Sequence, residues 1–303
     1  MTAAKPVADM LSPLDRPAAP RATRWGKGIR RFIRTQPLGA IGAVIVVTMI
    51  VIALFAEQIA PDGENQVNIF NVRQGMSWDN PFGTDHLGRD IFSRVVLGSR
   101  ISVAVGVLGT LISTALALTI GLVSGYFRGF VDLAIQRVVD AVMSVPGLIV
   151  LLSLLAIVPP SLTNIILILG IYTSVGSSRV VRSLVLSIRS EPYIQAATVI
   201  GASNLRIMLR HILPNVVPIT LVTGTTLVGG LVLTEGALSF LGVGIPPPSP
   251  SWGGMLAQGR VIMLEHPLVI LWPGIFLAVF VFGWNMLGDG LRDALDPRLR
   301  KGA

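Results

Sequence analysis

Cysteine is absent from the 303 residues. That excludes disulfides, thiolate nucleophiles and cysteine metal sites, and leaves the redox compartment open. Charge is scarce: 13% of residues are Asp, Glu, Lys or Arg, against the roughly 25% of soluble domains. Histidine occurs three times, at His86, His211 and His266, with no H-E-x-x-H or related spacing, so no metal site is expected in this chain. No G-x-x-x-x-G-K-[ST] phosphate loop occurs, nor a G-x-S-x-G elbow or a paired carboxylate site. A chain without these groups is expected to be non-catalytic and unable to bind ATP through a phosphate loop.

Apolar residues are plentiful, at 52% of the chain with a mean hydropathy of +0.72. Uncharged runs cover 38–56, 101–127, 141–178, 212–234, 236–259 and 266–288. Crossing the hydrocarbon core takes about 20 apolar residues in a helix. The run 141–178 is too long for one span, and Pro159-Pro160 divides it. An all-α bundle of six spans is therefore expected, at about 38–56, 101–125, 138–158, 162–178, 214–235 and 267–288. Gly229-Gly230, Gly236, Gly242 and Gly244 argue against a straight fifth helix. The expected divisions are a tail 1–37, a first span with an external segment 38–100, a five-span core 101–290 and a tail 291–303.

The net charge of +8 is a matter of topology. With the N-terminus in the cytoplasm, 19 Lys and Arg fall in cytoplasmic tails and loops and five fall outside. The positive-inside rule then places both termini and the 179–213 loop in the cytoplasm, with 57–100 and 245–266 external. Nucleic acid is not an expected partner. The tail 1–37 has eight basic residues and little apolar patterning, so it reads as disordered, with Arg30, Arg31 and Arg34 near anionic lipid head groups. A cleavable signal peptide fits poorly, because 38–56 is longer than a signal core and lacks a small-residue cleavage site.

Two segments between spans carry polar pattern. In residues 81–102, PFGTDHLGRDIFSRVVLGSRIS, Thr84 is placed to cap a helix with Asp85 in its first turn. Leu87, Ile91, Phe92, Val95 and Val96 then fill one half of the wheel, and His86, Arg89, Asp90, Ser93 and Arg94 the other. The expectation is an amphipathic helix in the outer interface, ending at Gly98, either a spacer or a rim that shapes the outer mouth of a pore or docks an external partner. In residues 179–213, Glu191-Pro192 opens a helix whose Tyr193, Ala197 and Ile200 share a face. There Ala196 and Ala197 leave room for close approach by another protein. Gly201 ends that helix in a left-handed cap, Ser203 caps a second through Ile212, and Pro214 opens the fifth span. The alternatives are an ordinary connector and a docking surface. Thirty-five residues is long for a connector, since most are shorter than about 12.

Among isolated polar residues, Asp140 is expected to pair locally with Arg137. His211 is expected to make a helix-end contact. Glu235 is expected near the outer interface, at a pore mouth or reaching water, since a carboxylate at the bilayer centre is costly. Trp252, Trp272 and Trp284 read as interface anchors or packing residues.

The segment EPYIQAATVIGASNLRIMLRHILPNVVP resembles the "EAA" loop of ABC importer permeases, with Gln195 where that motif has Glu. PFGTDHLGRDIFSRVVLGSRIS, LSFLGVGIPPPSPSWGGML at 238–256 and LGDGLRDALDPRLR at 287–300 resemble the dipeptide/oligopeptide/nickel branch. Within it the chain resembles the second of two paired permeases, which has an extra N-terminal span and Gly83-Thr84-Asp85 followed by Gly88-Arg89-Asp90. The resemblance runs from about residue 36 to residue 300. It implies a type I importer permease of a bacterial or archaeal plasma membrane, paired with a second permease. Two ATPase subunits would use ATP and Mg²⁺ and dock on the loop containing Glu191, Tyr193, Gln195, Ala196, Ala197, Gly201, His211 and Pro214. An extracytoplasmic binding protein would deliver cargo: peptides first, with nickel, glutathione or another small solute as alternatives. The rival class, a stand-alone secondary transporter or channel, calls for coupling charges near mid-membrane or an inverted repeat. Neither is evident.

Overall fold

The computed structural model describes residues 30 and 32–295, so the expectation of a disordered tail lies outside the described residues for 1–29, as does the tail 296–303. Residues 32–35 are helical, contrary to that expectation, and the Phe32 ring lies against Gly39 and Gly290.

The chain is all-helical: α1 Pro37–Leu54, α2 Ile91–Phe127, α3 Gly129–Met143, α4 Gly147–Ile157, α5 Leu162–Arg189, α6 Pro192–Val199, α7 Asn204–Phe240, α8 Trp252–Gly259 and α9 Leu268–Leu295. Five of these are long and apolar enough to cross a membrane, or six spans if α3 and α4, bent by 87° at their junction, are counted as one. Pro146 makes that bend, because it has no N–H to donate and pushes Val145 out of helical geometry. The expected span 138–158 is thus two half-helices, Gly129–Met143 and Gly147–Ile157. α9 continues through Leu295, beyond the 288 expected.

Small residues set the packing. α2 lies along α5, where a Cβ on Gly121 would stand 2.6 Å from the Val181 side chain and one on Gly125 2.8 Å from Val185. α1 meets α9 at Gly39 and Gly290, whose backbones touch. In lipid, where burial of apolar surface drives little association, such backbone approach is a main source of helix pairing. α3 is tied to α5 by charge instead. Arg182 forks onto Asp132 at 2.7 and 2.5 Å, and Ser124 of α2 donates to the same carboxylate. Asp140 pairs with Arg179 across the same seam rather than with Arg137, because the bent α3 turns it toward α5.

α7 is continuous from Asn204 to Phe240, so Pro214 lies inside it and does not open a new helix. A π-helical turn over Ile207–Ile212, with Leu213 N–H donating to the Met208 carbonyl, makes the transition. The looser winding accommodates a proline that cannot donate to residue 210. The glycines expected to break the fifth span do not break it. Gly229, Gly230 and Gly236 stay helical, while Gly242, at φ +89°, caps the end.

Candidate functional site

Two polar clusters occupy opposite ends of the bundle. At the end where α2 and α5 stop and α7 begins, Glu191 is the N-cap of α6 and Pro192 its first residue. The Glu191 side chain makes no cap bond and is exposed. Gln195 Nε2 donates to the Ser190 carbonyl at 3.1 Å. Gly201, at φ +81°, ends α6 with two reversed bonds: Gly201 N–H to the Thr198 carbonyl and Ala202 N–H to the Ala197 carbonyl, each 3.0 Å. That is the glycine-terminated cap expected at this position. Ser203 Oγ then accepts from Arg206 N–H, capping α7.

The faces of α6 differ from expectation. Ile194 and Ala197 are the buried pair, packed with Tyr126, Val181, Val185, Ile207, Met208 and Ile212. Ala197 is therefore closed to any partner. Tyr193 and Ala196 are exposed, and Ile200 shares no buried face with Ala197. The open surface is instead an apolar tip, Val199 at 85% and Ile200 at 83% exposure, and Leu205 in the first turn of α7 is also exposed. The spacing of Ile194 and Ala197, three apart, signals an inward stripe, but by the same spacing Ile200 would join it; it does not because the helix ends at Val199 and Ile200 is its C-cap. His211 is half-buried inside the π turn, where its carbonyl accepts from Asn215, and Pro214 is exposed.

Behind α6 lies a cleft of about 690 Å³ bordered by Tyr126, Arg128, Arg189, Gln195 and Asn204. Tyr126 donates to Asn204 Oδ1 at 2.8 Å, and the Arg189 guanidinium sits 5.4 Å over the tyrosine ring. The ends of α2, α5 and the α6–α7 turn are thereby held as one body. Sequence reasoning missed this trio because its members lie up to 78 positions apart.

At the other end, residues 81–90 do not form the expected amphipathic helix. They form a turn closed by a Thr84–Asp90 bridge, and α2 starts at Ile91 with Asp90 as its cap, Oδ2 accepting from Ser93 N–H at 2.7 Å. α2 runs through Gly98 without a break. Most of the half expected to meet water is buried: Arg89, Asp90, Ser93 and Arg94 are at or below 5% exposure, as are Thr84 and Asp85 beside them, and His86 is half-buried, while Leu87 of the apolar half is exposed. Asp85 accepts from Leu87 N–H, Arg89 N–H and Arg89 Nε, the last at 2.7 Å, with Arg94 Nε 3.9 Å away. Arg89 reaches Gln258 of α8, and Arg94 donates to the Glu64 carbonyl. Burial pushes the Asp90 carboxyl above its ordinary range, opposed by the Ser93 N–H. Gly83 and Gly88 both have positive φ, and a Cβ on Gly88 would overlap the Asn68 carbonyl. Phe82 stacks on Trp272 of α9 at 3.9 Å. We call this cluster the buckle.

Glu235 belongs to the same end and is fully buried, not at a water-filled mouth. Ser239 and Ser251 both donate to its Oε1, at 2.7 and 2.9 Å, which ties α7 to the cap of α8. Its expected position came from rise along the helix, which carries no information about what folds over the end. Trp252 is likewise a core residue, its indole N–H donating to the Val95 carbonyl at 3.0 Å. Trp272 and Trp284 pack against the same cluster.

The family described as "Binding-protein-dependent transport system inner membrane component" matches residues 117–301, and "N-terminal TM domain of oligopeptide transport permease C" matches residues 23–75. Similar relatives include the glutathione transport system permease protein GsiD of Escherichia coli O157:H7, of Shigella boydii serotype 4 and of Shigella sonnei. Each is 39% identical over 289 residues, covering 95% of this chain and 95% of the relative.

Proposed function

Since the chain belongs to the family of binding-protein-dependent transport inner membrane components, we propose that it carries small peptides, glutathione among them, through a pathway shared with a second permease. The family establishes the coarser points. The chain is a non-catalytic, multi-pass inner-membrane permease of an oligopeptide-type ABC importer, which implies ATPase and binding-protein partners. The finer assignments follow from chemistry. Peptide cargo is favoured by the oligopeptide permease match together with relatives named for glutathione, itself a tripeptide.

In this reading the ATPases engage the α6 tip. The observation that carries it is the geometry of α6: Ile194 and Ala197 root the helix in the bundle, and the Gly201 cap leaves Val199 and Ile200 in the open. An exposed apolar pair on a short, rigidly seated helix is costly in water and marks a surface that meets another protein. The buckle, at the opposite end, faces the binding protein.

Orientation follows from the basic residues, with both termini and the α6 tip cytoplasmic. The absence of native cysteine makes the test clean. A Ser203→Cys chain in intact cells should resist a membrane-impermeant maleimide and react after permeabilisation, and labelling in intact cells would overturn the orientation. The purified chain alone in liposomes should hydrolyse no ATP and concentrate no solute on an ion gradient. The full complex with its binding protein should import glutathione or dialanine. Gradient-driven uptake by the lone chain would place it among secondary transporters.

A further inference from the structure

Between α2, α5 and α7 lies a cavity of about 210 Å³ whose lining combines five hydroxyl residues, Thr114, Ser177, Thr220, Thr223 and Thr226, with four aliphatic ones and no charged side chain, so that most of its wall is apolar. That is the share of about seven water molecules, enough for a peptide unit and a small side chain. Thr223 sits near the middle of α7, and both it and Thr226 are exposed on the face of the subunit. The cavity therefore opens sideways at mid-span depth.

The direction of its hydrogen bonds gives it a chemical preference. Ser177 donates to the Thr173 carbonyl at 3.0 Å, Thr220 to Val216 at 2.9 Å, Thr223 to Ile219 and Thr220 at 3.0 Å each, and Thr226 to Thr223 at 2.8 Å. Each hydroxyl has spent its single proton on its own helix and turns only acceptor lone pairs outward. Thr114 differs. It is 93% buried, at 7% exposure, and among the described residues its hydroxyl has no hydrogen-bond partner. It lies where a Cβ on Gly224 would come within 3.2 Å of Oγ1. Its proton is free.

We propose that this cavity is a subsite for the amide groups of the cargo on the translocation path. It rests on the reading of the cargo as a small peptide. A peptide unit offers one N–H donor and one carbonyl acceptor. The acceptors of α5 and α7 suit the first, and the Thr114 hydroxyl suits the second. A carboxylate finds only one donor here. An ammonium finds acceptors but no counter-charge to offset its desolvation. Neutral, weak and independent of side chain, such a site holds a peptide backbone briefly without trapping it.

The test uses the complete complex in liposomes, with labelled glutathione and dialanine as probes. Thr→Val removes the hydroxyl at nearly constant shape. The triple variant Thr114→Val, Thr223→Val, Thr226→Val should assemble with the normal subunit ratio. It should import whichever probe the wild type imports roughly fivefold to tenfold more slowly, the scale of one or two lost neutral hydrogen bonds. The triple Thr→Ser variant, which restores the hydroxyls, should recover most of the rate. Equal uptake by wild type and the Val variant would mean that the cavity serves lipid or helix packing, and would overturn the subsite while leaving peptide cargo standing. Slow uptake by the Val and Ser variants alike would assign the loss to packing and would overturn the subsite in the same way. Wild-type import of neither probe would instead remove the peptide reading and the subsite with it.

Discussion

Asp85→Ala should destabilise the buckle more than any other single change discussed here, by about 3–5 kcal/mol, the usual scale for stranding one half of a buried ion pair. Asp85 accepts three hydrogen bonds and is the counter-charge for two guanidinium groups, with side-chain exposures of 6% for Arg89 and 2% for Arg94. Without it both cations remain buried beside each other, and two backbone N–H groups in the turn lose their acceptor. The loss should spread to α8 through Gln258, since Arg89 would no longer be held toward it. Asp85→Asn keeps an acceptor for the turn but removes the charge, so its cost should fall between wild type and Asp85→Ala. Thermal unfolding of the detergent-purified complex is the measurement. A transition within a degree or two of wild type for Asp85→Ala would mean that the turn 81–90 is held by Phe82 and Trp272 and not by charge.

Gly201→Val should abolish most transport while the protein stays inserted. The backbone there is left-handed at φ +81°, and a Cβ would meet nothing within 4 Å. The penalty is therefore conformational: about 1–2 kcal/mol for an ordinary side chain, and more for a β-branched one. That is too little to unfold a packed bundle. It is enough to favour a cap that releases the bonds to Ala197 and Thr198 and swings Val199 and Ile200 off their position. Asparagine tolerates the left-handed region through local hydrogen bonding, so Gly201→Asn should retain much of the uptake. In membranes matched for expression, uptake and ATPase co-purification should fall together, about tenfold or more for Val and far less for Asn. Equal transport by Val and wild type would reduce the α6–α7 turn to a connector. Gln195→Ala should have a small effect, because Gln195 contributes one exposed hydrogen bond to the Ser190 carbonyl.

The helical class, the approximate spans and the glycine cap were legible because each depends on a local pattern. A 20-residue apolar run, a Glu-Pro helix start and a Gly after the last helical turn carry their physics within one or two turns of chain. The four motif blocks of the resemblance were legible for a related reason, being continuous stretches of sequence. Where reading failed, the deciding group was distant. The charged half of the 81–102 wheel looked solvated because nothing nearby signals that Glu64 and Gln258 come to cover it. Pro146 was overlooked as the helix breaker because Pro159-Pro160, further along the same run, offered a stronger signal for dividing it.

The composition and order of the amino acids by themselves determined that this is a helical membrane protein, since hydropathy needs no third dimension. Only the tertiary structure decided which polar residues are buried. Asp85, Arg94 and Glu235 could each have faced water, lipid or protein from any one-dimensional view, and the choice was made by α8 folding back across the ends of α2 and α7. It also decided which side of α6 is open. Helical period sorts residues into faces, but only a partner surface, here α2, α5 and the π turn of α7, determines which face is covered.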